Sequence, residues 1–112
     1  MQRERRLKRK GDFTAVYAQG RTWVNRFLVV KARPNQRTVS RFGFSVGRRL
    51  GGAVVRNRIR RWLREAARRS PVIPGWDVVV IARGTAREGG VHQVRQALED
   101  LLRRGGLWCE GA

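Results

Sequence analysis

Hydrophobic positions along this chain recur with two different periods, and the switches between them outline its elements. From 54 to 69 (VVRNRIRRWLREAARR) apolar residues return every three or four positions. At 100° per residue, Val55, Ile59, Trp62, Leu63 and Ala66 share one face of a helix, within roughly 100° of one another. Residues 91–104 (VHQVRQALEDLLRR) repeat that spacing, with Val91, Val94, Leu98, Leu101 and Leu102 inward and Gly105-Gly106 as the stop. A shorter helix, from Phe13 to Gln19, places Phe13, Val16 and Tyr17 on one face. Gly11-Asp12 is its entry, with Asp12 as N-cap, and Gly20 its exit.

Elsewhere the period is two. In 38–46 (TVSRFGFSV) Phe42, Phe44 and Val46 point one way, while Val39, Arg41, Gly43 and Ser45 point the other. Residues 22–33 (TWVNRFLVVKAR) are rich in β-formers, densest from Phe27 to Val30, and Pro34-Asn35-Gln36 marks a turn after them. The two segments together predict an antiparallel pair or meander with one buried face. Residues 76–83 (WDVVVIAR) are nearly continuously apolar, as in a strand buried on both faces. Residues 47–52 and 84–90 are loops, and Ser70-Pro71 and Pro74-Gly75 break the chain between helix and strand. The order of elements predicts one α+β domain over 1–112, a mixed sheet covered by helices. Residues 1–10 (MQRERRLKRK) have no hydrophobic periodicity and are expected to form a basic arm, flexible until something binds it.

Charge changes this picture from a fold to a binder. Residues 1–69 hold 21 lysines and arginines against three acids, whereas residues 70–112 hold five against five. The whole net charge of +18 therefore belongs to the first two-thirds, so a polyanion is expected on one side of the molecule. Seven arginines fall within 54–69. Asn57, Arg60, Arg61, Arg64 and Arg68 cluster opposite the apolar stripe, with Arg56, Arg58 and Arg69 on the flanks. A solvated, self-paired helix would need acids three or four positions away, and only Glu65 is available. Of the 26 cations 23 are arginine, whose planar fork bonds phosphate bidentately and stacks on bases. A membrane surface would need a free apolar helix face, and here that face is committed to a core. No apolar run approaches the ~20 residues of a membrane span. One cysteine, Cys109 near the end of the chain, permits no internal disulfide. A cytoplasmic protein without a membrane partner is expected.

Catalytic constellations are scarce. His92 opens a helix among core residues, where a surface or capping role is expected rather than that of a general base. The acids form no close cluster of the kind two-metal nuclease chemistry needs: Asp12 is read as a cap, Asp77 opens a strand, and Glu99-Asp100 lie on an outer helix face. There is no phosphate-cradling loop and no CxxC. A KH module would need a GxxG loop, which is absent, and Arg41-Phe42-Gly43-Phe44 does not follow the residue order of an RNA-recognition motif.

Val55 to Glu65 (VRNRIRRWLRE) resembles the "RNR" signature helix of the bacterial ribonuclease P protein subunit. Leu7 to Phe13 with Tyr17, Arg41 to Arg49 (RFGFSVGRR), Gly51 to Val55 and Asp77 to Arg83 (DVVVIAR) resemble that family's other motifs, in the same order over nearly the whole chain. The resemblance implies an α-β-β-β-α-β-α sandwich with a mixed central sheet and a left-handed βαβ crossover. It implies a protein that helps a large RNA remove the 5′ leader of precursor tRNA, with Mg²⁺ held mainly by the RNA and no catalytic group in the protein. No obligate protein partner is implied. Carried over residue by residue, the RNA-binding set is Arg48, Arg49, Arg56, Asn57, Arg58, Arg60, Arg61, Arg64 and Arg68. The leader cleft is Phe13, Tyr17, Lys31, Val39, Arg41 and Ser45. Lys31 departs from the family pattern, standing where an aromatic residue is expected, so a phosphate contact replaces stacking there. The competing readings are a small ribosomal-type or DNA-binding protein and a self-sufficient nuclease.

Overall fold

The computed structural model describes residues 5–110. Its elements are α1 (Lys10–Gln19), β1 (Arg21–Val24), β2 (Leu28–Pro34), β3 (Arg41–Ser45), α2 (Ala53–Arg68), β4 (Trp76–Ala82) and α3 (Val91–Arg104). Short 3-10 turns at Arg48–Leu50 and Gly84–Glu88 follow β3 and β4. The order is the α-β-β-β-α-β-α expected. In space the strands lie β1-β2-β4-β3, with β1/β2 and β2/β4 antiparallel and β3/β4 parallel. The β2 and β3 segments were expected to pair with each other, but β4 lies between them. A seven-residue strand whose three central valines are fully buried needs a partner on both edges, and the centre of the sheet provides them.

Alternation along each strand sorts the sheet into two faces. Leu28, Val30, Ala32, Phe42, Val78, Val80 and Ala82 join Ile59, Leu63, Ala66 and Ala67 of α2 and Val94, Leu98, Leu101 and Leu102 of α3 in the main core. On the other face a small cluster, Leu7, Val16 and Val79 with Phe13 and Ile81 half-buried, holds α1. The apolar stripe of α2 is thus the core contact its period predicts. Gly51, at φ +142°, turns the chain into α2 where a Cβ would press on Val55. At the other end Ser70 Oγ donates to the Ala66 carbonyl (2.7 Å) just before Pro71.

Three expectations need correction. Helix α1 starts at Lys10, capped by Arg9 without a side-chain bond, so Asp12 sits inside the first turn rather than at the cap. The 22–33 segment is broken at Asn25–Phe27, because Asn25 Oδ1 accepts from the Phe27 and Leu28 amides and closes an Asx turn. Of the expected arm, residues 1–4 lie outside the described residues. Arg6 bridges Phe42 beside β3, and the Leu7 amide donates to the Phe42 carbonyl (2.8 Å) with its side chain buried. Cys109, near the end of the chain, is anchored as well. Its amide donates to the Pro71 carbonyl, next to a Trp108–Val72 bridge.

Candidate nucleic-acid interface

Strand register arranges the α1 face in three cross-strand rows. The first holds Arg33, Asp77 and Arg41, the second Thr22, Lys31, Val79 and Gly43, and the third Val24, Val29, Ile81 and Ser45. Helix α1 lies over the first two. Asp12 stands 3.5 Å from Arg41 at one end, and Arg33 donates to Gln19 Oε1 at the other. Phe13 rests on Gly43, where a Cβ would stand 2.6 Å from the ring and 3.1 Å from Leu7 Cβ. Gly43→Ala is therefore expected to lift Phe13 off the sheet and cost about 1–3 kcal/mol, as overpacking does. An unchanged thermal midpoint would show that the helix shifts freely.

The third row is exposed at Val24 and half-exposed at Val29, Ile81 and Ser45, and on α1 Tyr17 is 43 % exposed. Its ring lies 6.5 Å from that of Phe13, tilted by 45°. Lys31, on the same face, donates to Thr22 Oγ1 (3.0 Å). Phe13 and Tyr17 of α1 and Lys31 and Ser45 of the sheet thus lie on one side, which also carries Val24, Val29 and Ile81, residues the sequence reading did not single out. Two expected members do not join them. Val39 was read as part of the alternating segment but precedes β3, which starts at Arg41, and it lines a hollow with Thr38, Pro71 and Pro74. Arg41 is on the right face but is already engaged. Its Nε and Nη2 donate to both oxygens of Asp77 (2.9 and 2.7 Å).

Asp77 is the functional group that sequence reasoning missed, having been read only as the start of a strand. It is 2 % exposed and also accepts from Asn35 Nδ2 (2.8 Å). Burial pushes its carboxyl up, but hydrogen bonds from Arg41 and Asn35 and the charges of Arg41 and Arg33 outweigh that, holding it below the usual carboxylate range. The available signal was an acid leading into a strand too apolar to leave it unpaired.

On the opposite side of the sheet α2 turns its charged face outward. Asn57, Arg58, Arg61, Arg64 and Arg68 are exposed, and Arg56 and Arg60 half-exposed. Arg60 Nη1 donates to Asn57 Oδ1 (3.0 Å), and the Arg58 guanidinium lies 5.6 Å from the centre of the Trp62 ring. Glu65 pairs with Arg68 (2.6 Å) and Arg69 (2.9 Å), which draw its carboxyl below the ordinary range. Among the described residues no carboxylate lies within ion-pair distance of Arg48, Arg49, Arg56, Arg58, Arg60, Arg61 or Arg64. Arg48 and Arg49 follow the end of β3 at Ser45 by three and four residues and precede α2. They join the α1-side cleft to the arginine ridge around one edge of the sheet. No helix among the described residues is long and apolar enough to cross a membrane.

Residues 1–106 match the family model for Ribonuclease P. Relatives named Ribonuclease P protein component, from Roseiflexus castenholzii and Symbiobacterium thermophilum, are each 46 % identical over 110 residues. The aligned region covers 96 % of this chain and 90 % and 96 % of theirs. The solved RNase P protein of Staphylococcus aureus superimposes with a TM-score of 0.84 at 33 % identity, covering 94 % of this chain and 98 % of that one. That of Thermotoga maritima gives 0.81 at 36 %, covering 88 % and 96 %. Family model, identity and shared fold extend together over nearly the whole length, and this chain belongs to the ribonuclease P protein family.

Proposed function

We propose that this protein is the RNA-binding, non-catalytic subunit of a ribonuclease P ribonucleoprotein that removes the 5′ leader of precursor tRNA. The observation that carries this reading is the run of seven arginines from Arg48 to Arg64 that have no acid partner among the described residues, wrapping from the edge of the cleft onto α2. Such guanidinium groups neutralise phosphates and let RNA helices approach one another, which lowers the Mg²⁺ the assembly requires. In this reading Arg48, Arg49, Arg56, Asn57, Arg58, Arg60, Arg61 and Arg64 hold the catalytic RNA. Arg68, shared with Glu65, contributes less.

The cleft side supplies a different chemistry. Phe13 and Tyr17 offer tilted aromatic faces on which single-stranded leader bases stack, worth about 1–3 kcal/mol per base. Lys31 meets the leader's phosphates, and Ser45 its polar edges.

The protein's own residues do not fit a resident Mg²⁺. Among those described, no three His, Cys, Asp or Glu side chains stand close enough to hold a metal ion, and the one buried acid is spent on Arg41 and Asn35. The Mg²⁺ of the reaction stays with the RNA in this assignment.

One reconstitution tests the whole reading. The protein is mixed with a bacterial ribonuclease P RNA and precursor tRNA at Mg²⁺ too low for the RNA alone. Rescue of 5′-leader removal is the expected result. Cleavage without the RNA would make the protein a nuclease in its own right. No effect in either mixture would place it among structural nucleic-acid binders.

A further inference from the structure

We infer that Arg41 is a positioning residue for the cleft: clamped on Asp77, it tethers α1 through Asp12 and so sets where the helix carries Phe13 and Tyr17 on this face of the sheet. This rests on the reading of that cleft as the leader site.

Helix α1 is weakly held by packing. Of its ten residues only Val16 is fully buried, and its N-terminus lacks a side-chain cap. Two polar pins supplement that contact, and they differ in stiffness. At the C-terminal end Arg33 meets Gln19, an exposed and neutral partner. At the N-terminal end the guanidinium of Arg41 is fixed before α1 reaches it, by a two-point fork onto the central strand. Its side chain is 12 % exposed and that of Asp77 3 %. Asn35 holds the same carboxylate while its own amide is tied to the Gly75 carbonyl (2.8 Å). Asp12 therefore docks on a rigid cation, with Phe13 next in sequence and Tyr17 one turn further on. Displacing Asp12 moves both rings relative to Val29, Ile81 and Ser45. The arginine ridge lies across the sheet and is untouched, so the effect is confined to one of the two surfaces.

The test uses holoenzyme reconstituted with a bacterial ribonuclease P RNA and carrying the parent chain, Asp12→Asn or Asp12→Glu. Affinity is measured for precursor tRNA with its leader and for the same tRNA without one. Asp12→Asn is expected to weaken binding of the leader-bearing substrate about two- to fivefold, the range of a partly exposed ion pair. Affinity for leaderless tRNA, and for the catalytic RNA itself, stays at the parent value. Asp12→Glu, which keeps the charge within reach of Arg41, recovers most of the loss, and the unchanged affinity for leaderless tRNA and catalytic RNA separates tethering from a general loss of stability. Full leader dependence in Asp12→Asn, or an equal loss toward both tRNAs, would overturn the tether and leave the cleft reading standing. A parent enzyme indifferent to the leader would overturn both.

Discussion

An Asp77→Ala protein is expected to lose about 3–5 kcal/mol of folding stability, the cost of leaving a buried charge without its partner. For a domain whose total is about 5–15 kcal/mol, that is enough to unfold a large fraction of molecules near 37 °C. Three donors lose their acceptor at once: Arg41 Nε, Arg41 Nη2 and Asn35 Nδ2. Arg41 keeps only Asp12 at 3.5 Å. The loss measures the orphaned cation more than any net worth of the pair, since buried ion pairs replaced whole by apolar groups are often neutral. Asp77→Ala combined with Arg41→Met should therefore cost clearly less than the two single changes together, in urea unfolding. Additive losses would show that the two side chains do not act as a unit. The pH response has a definite sign. Because the folded-state pKa of Asp77 is depressed, its contribution is complete above the unfolded value of about 3.9 and is lost as pH falls through the lower folded value. Parent and Asp77→Asn stabilities accordingly converge in acid, and a constant gap down to the lowest pH would contradict the ion pair.

Asp77 also shows where reading a sequence stops. Elements written in one local period were legible: the 91–104 helix matches to the residue, and α2 and β4 to within one. Helical spacing put Phe13 and Tyr17 on one face of α1 and alternation turned Ser45 away from Phe42 and Phe44, while only the family resemblance grouped them with Lys31. What local period could not supply were partners distant along the chain. Arg41 and Asp77 lie 36 residues apart and meet only because β3 and β4 pair in parallel, in the register Arg41↔Asp77. Alternation put Arg41 on the outward face and the resemblance put it among the cleft residues, but its engagement was invisible without that register. The insertion of β4 between β2 and β3 was hidden for the same reason. The Asn25 turn was hidden by composition, since it uses neither Gly nor Pro. Its other anchor, Nδ2 on the Ala97 carbonyl (2.9 Å), lies in α3.

Salt is expected to move stability and RNA affinity in opposite directions, because one charge distribution governs both. In the free protein +18 charges on 112 residues repel one another, so screening favours the compact state and the thermal midpoint rises with salt. In the complex the same cations displace counterions from phosphate, and log affinity falls by about 0.7–0.9 per log unit of salt for each phosphate neutralised. With six or more contacts, affinity drops about a thousandfold or more between 50 and 200 mM salt. Which arginines count is decided by their partners in the free state. Arg61 and Arg64 are exposed, with no acid in range among the described residues, so Arg61→Ala and Arg64→Ala should each lower the slope by about one. Arg68 already shares Glu65 with Arg69, and its release on binding is partly cancelled by the pair it leaves. Arg68→Ala should therefore change the slope by clearly less than either single ridge variant. The measurement is a salt titration of catalytic-RNA binding with the four proteins side by side. Equal slopes for all four would mean that the ridge does not meet phosphate, whatever the total affinity.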